Sequence, residues 1–298
     1  MTKLQTTRIS LSTGVTLKVQ MGGPADAEAI ILLHGFPESH RTWRRVAPEL
    51  ARDYRVIVPD QRGFGASDKP EGVENYRTSE TVADIFALAD AFRIDRFTLV
   101  GHDWGGAIAW TAALRHADRL DRLVIVNAPH PLIFQRSVID DPDQRRASQY
   151  IRAFRSPMME KGIDAMGLDT FFEKSFGAHA DLAKIAPAER QAYLDDWQQE
   201  GALTAMLNWY RASDLVVPEI GEGATRPAWA WAPFPSVKVP TLVIWAMGDK
   251  ALLPVQLEGL NVLVDDLRVV RIEDAGHFVT WERPEPVVAA VREFLAAR

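Results

Sequence analysis

The sequence predicts an α/β protein whose mostly parallel, doubly wound sheet is interrupted by a block of helices. Short β-branched runs bounded by turn residues alternate with helix-like stretches in the first half of the chain. From about residue 130 to 235 the apolar periodicity becomes helical, and the rhythm of strands then resumes. Alternation of this kind is typical of a parallel sheet with helices on both faces.

The strands are short apolar runs and the helices lie between them. The runs that predict buried parallel strands are 29–34, 54–60, 97–103, 122–129, 240–246 and 267–274. The stretches that predict helices packed on the sheet are 79–92, 105–117 and 284–297. An antiparallel hairpin at one edge of the sheet is predicted for "RISLSTGVTLKVQ", residues 8–20.

This pattern divides the chain into a core and an inserted cap. The core comprises residues 1–129 and 236–298, and the helical cap comprises residues 130–235. A helical block that separates two stretches of one sheet is expected to form a lid over it.

Composition and charge exclude several classes of function. The 298 residues carry a net charge of −6 without any basic block, which argues against a nucleic-acid or anionic-membrane partner. No apolar run reaches the length of a membrane span. The start, "MTKLQTTRIS", lacks the apolar core of a signal peptide, so a cytoplasmic protein is expected. The oligomeric state stays open between a monomer and a homodimer.

No cofactor or metal is expected. The chain has no cysteine, which excludes disulfides, thiolate nucleophiles and cysteine-ligated metals. His34, Glu38 and His40 lack the spacing of a zinc protease motif, and "GFGASD" at 63–68 lacks the third glycine of a dinucleotide fingerprint.

"GHDWG", residues 101–105, places an aspartate between two glycines where a predicted strand meets a predicted helix. Strand–turn–helix motifs of this form present a nucleophile above the sheet, because the glycines allow a very tight turn. The amides at the start of the helix favour an ionised carboxylate. Asp103 is therefore a candidate nucleophile, and the alternative is that it only caps the helix.

Two further residues complete a possible catalytic triad. Asp249 follows one predicted strand in "WAMGDKALLP", and His277 follows the next in "EDAGHFVTWERPE". Taken singly, Asp249 could be a turn residue and His277 a core histidine. In the order nucleophile, acid, histidine, at the carboxyl ends of three strands, they predict a triad.

"LLHGFPES", residues 32–39, predicts an oxyanion hole. A strand ending before this turn would aim the backbone N–H of Phe36 at the same point as the N–H of Trp104. The alternative is a plain turn, in which Pro37 could be a cis proline.

A carboxylate nucleophile indicates a saturated carbon as electrophile. Attack by serine at such a carbon would leave an ether, which water does not readily cleave. Attack by Asp103 leaves an ester whose carbonyl belongs to the enzyme, and water activated by His277 can hydrolyse that ester. The substrate is then an epoxide or a carbon that bears a halide.

Four motifs together resemble the soluble type of α/β-hydrolase-fold epoxide hydrolase, over essentially the whole chain. They are "HGFPES", "GHDWGG", "MGDKALLP" and "DAGHF". The resemblance implies that the enzyme converts a small hydrophobic epoxide and water to a vicinal diol through a covalent aspartyl ester. Asp103 would be the nucleophile, His277 the general base and Asp249 the residue that orients His277.

In that family two cap tyrosines hold the oxirane oxygen. The matching positions are Tyr210 in "LNWYRAS" and Tyr150 in "SQYIRAF"; the alternative is that both tyrosines only pack between cap and core. The family usually has an aromatic residue directly after "HGFPES", where this chain has His40. The side chains expected to bind substrate are Trp104, Phe36, Pro37 and Trp43.

Two alternatives to this function remain. Haloalkane and haloacetate dehalogenases use the same aspartate chemistry. They typically hold the halide with an asparagine where this chain has Phe36, or hold the substrate with an arginine where it has Trp104. In the fluoroacetate type the triad acid also lies where this chain has Asn127. A non-catalytic binder on the same fold would have no use for His277, and a serine esterase is excluded because no Gly-x-Ser-x-Gly occurs.

Overall fold

The computed structural model of the protein describes residues 2–231 and 233–297, in which eight strands form a single sheet. The strands are β1 (Gln5–Ser10), β2 (Thr16–Gly22), β3 (Ala29–Leu33), β4 (Arg55–Pro59), β5 (Phe97–His102), β6 (Leu120–Val126), β7 (Thr241–Ala246) and β8 (Leu267–Ile272). Their spatial order is β1-β2-β4-β3-β5-β6-β7-β8.

The sheet is parallel except at one edge. β1 and β2 form an antiparallel hairpin, β2 pairs antiparallel with β4, and all other neighbours run parallel. The predicted fold class, the edge hairpin and all six predicted parallel strands are confirmed. The carboxyl ends of the six parallel strands therefore meet at one edge of the sheet.

Thirteen α-helices surround the sheet in the part of the chain that the structure describes. They are α1 (Ala47–Leu50), α2 (Thr78–Ala91), α3 (Trp104–Arg115), α4 (Pro131–Asp140), α5 (Pro142–Ala147), α6 (Gln149–Arg155), α7 (Met159–Met166), α8 (Leu168–Gly177), α9 (Pro187–Trp197), α10 (Ala202–Arg211), α11 (Leu260–Leu263), α12 (Val279–Glu282) and α13 (Pro284–Ala296). Short 3₁₀ helices lie at His40–Trp43, Val73–Tyr76, Ala117–Arg119, Leu182–Lys184, Ala228–Ala230 and Pro254–Leu257.

Alternate side chains of each central strand enter two separate apolar layers. Ile30 and Leu32 of β3 point to the face covered by α1 and α13. Ile31 and Leu33 point to the opposite face, which α2 and α3 cover. Burial on both faces explains why these strands read as uninterrupted apolar runs rather than as an alternating pattern.

Between β6 and β7 the described residues contain helices and no strand. Helices α4 to α10 occupy this stretch, and α6 packs against α10 over the edge where the parallel strands end. The helical character predicted for residues 130–235 thus agrees with these elements. The cap boundaries themselves stay a prediction.

Trp43 does not contact the site, and the prediction that it binds substrate is wrong. Residues 40–43 form a 3₁₀ turn whose Trp43 enters the apolar layer covered by α1 and α13. There Trp43 is fully buried beside Val46 and Leu50, and neither cavity near the nucleophile is lined by it.

None of the helices within residues 2–231 and 233–297 is both long and apolar enough to cross a membrane.

A buried ion pair fixes the loop after β4 beneath the cap. The Arg62 guanidinium donates to both carboxylate oxygens of Asp84 on α2, over 2.6 and 2.7 Å, and both side chains are almost fully buried. The carbonyl of Arg62 accepts the indole N–H of Trp209 on α10 at 3.1 Å. The pair therefore supports a helix that borders the site.

Asp84→Ala should strongly destabilise the protein, because it leaves the Arg62 charge buried without its carboxylate. We expect a loss of about 3–5 kcal/mol in the free energy of unfolding, measured by urea denaturation. Lys238→Ala is the control, since its pair with Asp265 lies exposed on the surface and should contribute much less. Equal losses for the two variants would show that the buried pair does not stabilise the fold.

Candidate active site

Asp103 stands on a strained turn between β5 and α3. Its backbone adopts φ 51° and ψ −122°, a region that non-glycine residues enter at a cost of about 1–3 kcal/mol. The turn is so tight that a Cβ on Gly101 would lie 2.3 Å from the carbonyl oxygen of Gly105. The Asp103 side chain makes no capping hydrogen bond to α3. It is therefore available above the sheet, and helix capping does not account for it.

The two oxygens of the Asp103 carboxylate have different partners. Oδ1 accepts the backbone N–H of Phe36 at 2.7 Å. Oδ2 faces His277, whose Nε2 lies 3.6 Å away. The loop after β3 reaches Oδ1 only because residue 35 is glycine: a Cβ there would lie 2.1 Å from this oxygen.

The Phe36 amide is thus one of the two donors predicted for an oxyanion hole. Within the described residues, no hydrogen bond joins the Trp104 amide to the carboxylate, so the second donor stays a prediction. The Phe36–Pro37 peptide bond is cis, as the sequence allowed.

His277 lies between two carboxylates. Its Nδ1 is 2.7 Å from Asp249 Oδ2, on the side opposite Asp103. Asp249 is buried and accepts further hydrogen bonds from the amides of Ala251 and Leu252, at 2.8 and 3.0 Å. The structure thus brings the three residues of the predicted triad together, in the predicted arrangement.

The electrostatics of the triad follow from burial and mutual contact. Burial lowers the pKa of His277, but the charge and hydrogen bond of Asp249 and the charge of Asp103 raise it more, to about 9. Burial raises the pKa of Asp249, yet the charge and hydrogen bond of His277 and further donors bring it below its ordinary value. At neutral pH the resting site therefore holds an imidazolium beside an ionised Asp249.

Asn127 is a site residue that the sequence reasoning did not assign to the triad. Its amide nitrogen donates to Asp249 Oδ2 at 2.8 Å, and its Oδ1 accepts the backbone N–H of Ala246 at 2.9 Å. It thereby fixes Asp249 relative to the end of β7. A signal was present, because Asn127 directly follows β6 at the edge where the other site residues lie.

Gln144 was missed as well, and no local pattern marks it. This fully buried side chain on α5 donates to the carbonyl of Ala251 at 2.9 Å and accepts the amide of Leu253 at 2.9 Å. It therefore ties the loop after Asp249 to the helix that precedes Tyr150.

The two predicted tyrosines lie on different cap helices and face the same point. Tyr150 is on α6 and Tyr210 on α10, with ring centroids 6.1 Å apart. The Tyr210 ring also meets the rings of Phe36 and Trp104 edge-on, each at 5.1 Å. Burial, with a contribution from the Asp103 charge, holds the pKa of both phenols well above its ordinary range. Both are neutral hydrogen-bond donors at neutral pH.

Two cavities meet at Asp103, Tyr150 and Tyr210, and both are largely apolar. The first has a volume of about 170 Å³. Its walls include Trp104, Phe134, Ile151, Trp209, Leu215 and Trp229. The second has a volume of about 540 Å³. Its walls include Phe36, Pro37, Phe154, Phe171, His179 and Phe278.

Of the side chains expected to bind substrate, Trp104 therefore lines the first cavity, and Phe36 and Pro37 line the second. Trp229 also borders the first cavity.

Removal of the Asp103 charge should lower the pKa of His277. In Asp103→Ala one of the charges that raise this pKa is gone, while Asp249 still holds it above that of a buried, unpaired histidine. We expect NMR titration of the ring, assigned by comparison with His277→Gln, to give a lower pKa than in the wild type. An unchanged or higher pKa in Asp103→Ala would show that the two residues do not interact.

Comparison with known proteins gives the family. The α/β-hydrolase fold family matches residues 28–284. The AB hydrolase superfamily protein YfhM of Bacillus subtilis is 34% identical over 284 residues, which are 95% of each chain. Epoxide hydrolase A of Mycobacterium tuberculosis is 31% identical over 322 residues, covering 97% of each chain.

A solved structure is also similar to this chain. It comes from work on novel epoxide hydrolases of the α/β-hydrolase superfamily in metagenomes from hot environments. That protein is 45% identical to this chain with a TM-score of 0.90, and the match covers 99% of this chain and 100% of the other. The chain belongs to the α/β-hydrolase family and resembles, within it, the epoxide hydrolases.

Proposed function

We propose that this protein hydrolyses epoxides to vicinal diols through a covalent ester on Asp103. The observation that carries the proposal is the position of His277 between Asp249 and Asp103, at 2.7 and 3.6 Å. An imidazole held by one carboxylate and facing a second suits a base that activates water against an ester of that second carboxylate.

In the first step, a carboxylate oxygen of Asp103 attacks one carbon of the epoxide. A C–O bond forms to the enzyme, and the ring C–O bond at that carbon breaks. The departing ring oxygen takes a proton from one of the two phenols, so that it leaves as a hydroxyl rather than as an alkoxide. The raised pKa values of Tyr150 and Tyr210 support this role, because both phenols still carry their protons at neutral pH.

The attacking oxygen in this proposal is Oδ2. Oδ1 accepts the Phe36 amide hydrogen, whereas Oδ2 makes no hydrogen bond within the described residues and lies 3.6 Å from His277 Nε2. Alkylation at Oδ2 makes Oδ1 the carbonyl oxygen of the ester, already in contact with a donor. In the second step that contact stabilises the negative charge that develops on Oδ1 as water adds to the carbonyl carbon.

Alkylation also prepares the base. An esterified Asp103 carries no charge, so one cause of the raised His277 pKa disappears. His277 then gives up its proton, which neutralises the phenolate left by ring opening, and the neutral imidazole takes a proton from the attacking water. As the tetrahedral intermediate collapses, the departing diol oxygen takes the proton of the new Asp103 carboxyl group, so that Asp103 is again a carboxylate and His277 again an imidazolium.

The proposed substrate is a small hydrophobic epoxide. The nucleophile lies where two cavities join, and their walls are mostly apolar and aromatic. Each cavity can hold a substituent of the ring, so carbons on either side of the oxygen can be substituted. Residues 130–235 act in this proposal as a cap, since they contribute both phenols and about half of the residues that line the first cavity.

A dehalogenase fits the site less well. The residue after Gly35 is Phe36, whose side chain cannot donate to a halide, and Trp104 cannot bind a carboxylate as an arginine would. Asn127 donates to Asp249 rather than accepting from His277, so it does not serve as the triad acid. Chloride or fluoride release, assayed beside diol formation, separates the two activities.

The tyrosine roles can be tested by removal of the hydroxyls. Tyr150→Phe and Tyr210→Phe should each slow alkylation of Asp103, by about a hundredfold or less, because the remaining phenol still donates. The double variant should nearly abolish alkylation. Ester hydrolysis should be spared, since no ring oxygen remains at that stage. The measurement is single-turnover kinetics with the best substrate from a panel of aryl, alkyl and terpene epoxides.

Tyr76→Phe is the matched control for these variants. Tyr76 borders the first cavity too, but its hydroxyl donates to the carbonyl of Pro70 at 2.8 Å and is not assigned to the oxirane oxygen. Its loss should leave alkylation unchanged. If Tyr150→Phe and Tyr210→Phe alkylate Asp103 as fast as Tyr76→Phe does, the two tyrosines are packing residues.

The covalent ester can be tested by isotope and by trapping. A single turnover in ¹⁸O water should leave the label in the Asp103 carboxylate and not in the diol. His277→Gln should accumulate an adduct on the peptide that contains Asp103, visible as added mass, because alkylation proceeds without the base. Asp103→Ala should form no adduct. Labelled diol from the first turnover, with no adduct in His277→Gln, would falsify the ester mechanism and favour direct attack by water.

A further inference from the structure

The two phenols must keep a fixed spacing, although no covalent constraint provides it. Tyr150 is the second residue of α6 and Tyr210 the last but one of α10, and some 60 residues of chain separate them. A shared oxirane oxygen requires both hydroxyls within hydrogen-bond distance of one point. Displacements of about 1 Å at such sites cost up to a hundredfold in rate. Some contact between the two helices has to hold this spacing.

Arg155, the last residue of α6, makes that contact. Its Nε donates to the backbone carbonyl of Tyr210 itself, at 2.9 Å. Its two terminal nitrogens donate to the carbonyls of Leu215 and Ser213, at 2.7 and 2.9 Å. α10 ends at Arg211, so these carbonyls lie in and just beyond its last turn, where helix carbonyls lack intrahelical partners. A cation there also complements the negative end of the helix dipole.

The contact is specific to an arginine. Three carbonyls accept from three different nitrogens of one planar group, which a lysine ammonium on a flexible stem cannot reproduce. Arg155 is partly buried, and the three charge-assisted hydrogen bonds offset the cost of burying its charge. The ring of Phe154, the residue before Arg155, contacts both tyrosines. Its centroid lies 5.7 Å from that of Tyr150 and 5.0 Å from that of Tyr210.

We propose that Arg155 is a positioning residue that sets the spacing of Tyr150 and Tyr210, and so the rate of epoxide opening. The inference rests on the proposed role of the two phenols. Arg155 acts through the backbone of Tyr210 and does not itself line either cavity.

The chain offers a matched control on the same helix. Arg152 lies one turn before Arg155 and also reaches the segment after α10, where it donates to the carbonyl of Val217 at 2.9 Å and to the Glu219 carboxylate. It makes no hydrogen bond to α10 itself. Arg152→Lys therefore perturbs a similar arginine–backbone contact without releasing Tyr210.

The experiment compares Arg155→Lys, Arg155→Met and Arg152→Lys by single-turnover kinetics, with the substrate chosen from the epoxide panel. The alkylation rate constant per active site, corrected by burst amplitude, should fall about ten- to a hundredfold in both Arg155 variants. The rate constant of ester hydrolysis should change by about threefold or less. Arg152→Lys should keep both rate constants. Melting temperature and circular dichroism report whether each variant is folded. If Arg155→Met does not fold, Arg155→Lys still tests the proposal, because it retains the positive charge.

The dependence of the Arg155 effect on Tyr150 distinguishes a positioning role from a merely structural one. If Arg155 acts through the pair of phenols, its effect should shrink to about threefold or less once Tyr150→Phe has removed one of them. A lower melting temperature or burst amplitude with an unchanged alkylation rate constant would overturn the proposal, as would an Arg155→Lys effect of the same size in the Tyr150→Phe background. Wild-type alkylation in both single tyrosine variants would overturn the tyrosine roles and this inference together. Slow alkylation in those variants, with Arg155→Lys unaffected, would overturn this inference alone.

Discussion

The buried hydrogen bond between His277 and Asp249 is the interaction on which the site depends. An imidazolium in an apolar interior is costly unless a carboxylate accompanies it, and Asp249 is stable there only because His277, Asn127 and two amides donate to it. The sheet supplies these groups from the ends of adjacent strands. Asp103 completes the arrangement as a second carboxylate, whose charge is removed and restored in each cycle of the proposed mechanism.

The cap is joined to the core by side chains that donate to backbone carbonyls. The Trp209 indole donates to the Arg62 carbonyl at 3.1 Å, and the Trp197 indole donates to the Pro37 carbonyl at 2.9 Å. Gln144 joins α5 to the loop after Asp249 in the same way. Such bonds orient the cap helices without further charges near the triad. Helix α10, which carries Tyr210, is thereby attached to the core by a hydrogen bond between neutral groups.

The elements that sequence could predict are those with local causes. Apolar runs give the six parallel strands, and Gly101 is needed by the turn itself, because a Cβ there would meet the carbonyl of Gly105. Trp43 was misassigned because the 3₁₀ turn at residues 40–43 packs on one face of the sheet, and the local sequence does not indicate which face that is. Arg155 and Gln144 act through partners far away in sequence, so their importance appears only when the helices are packed.

Because the two Asp103 oxygens have different partners, only one of them is exchanged in the proposed cycle. In the proposed cycle Oδ2 departs with the diol and is replaced by an oxygen from water, whereas Oδ1, bonded to the Phe36 amide and close to Gly35, stays. As long as the carboxylate does not rotate about its Cβ–Cγ bond, one atom of the protein is renewed at every turnover and its neighbour never is. The nucleophile would then be partly a co-substrate, and each diol would carry an oxygen that the previous cycle had drawn from solvent.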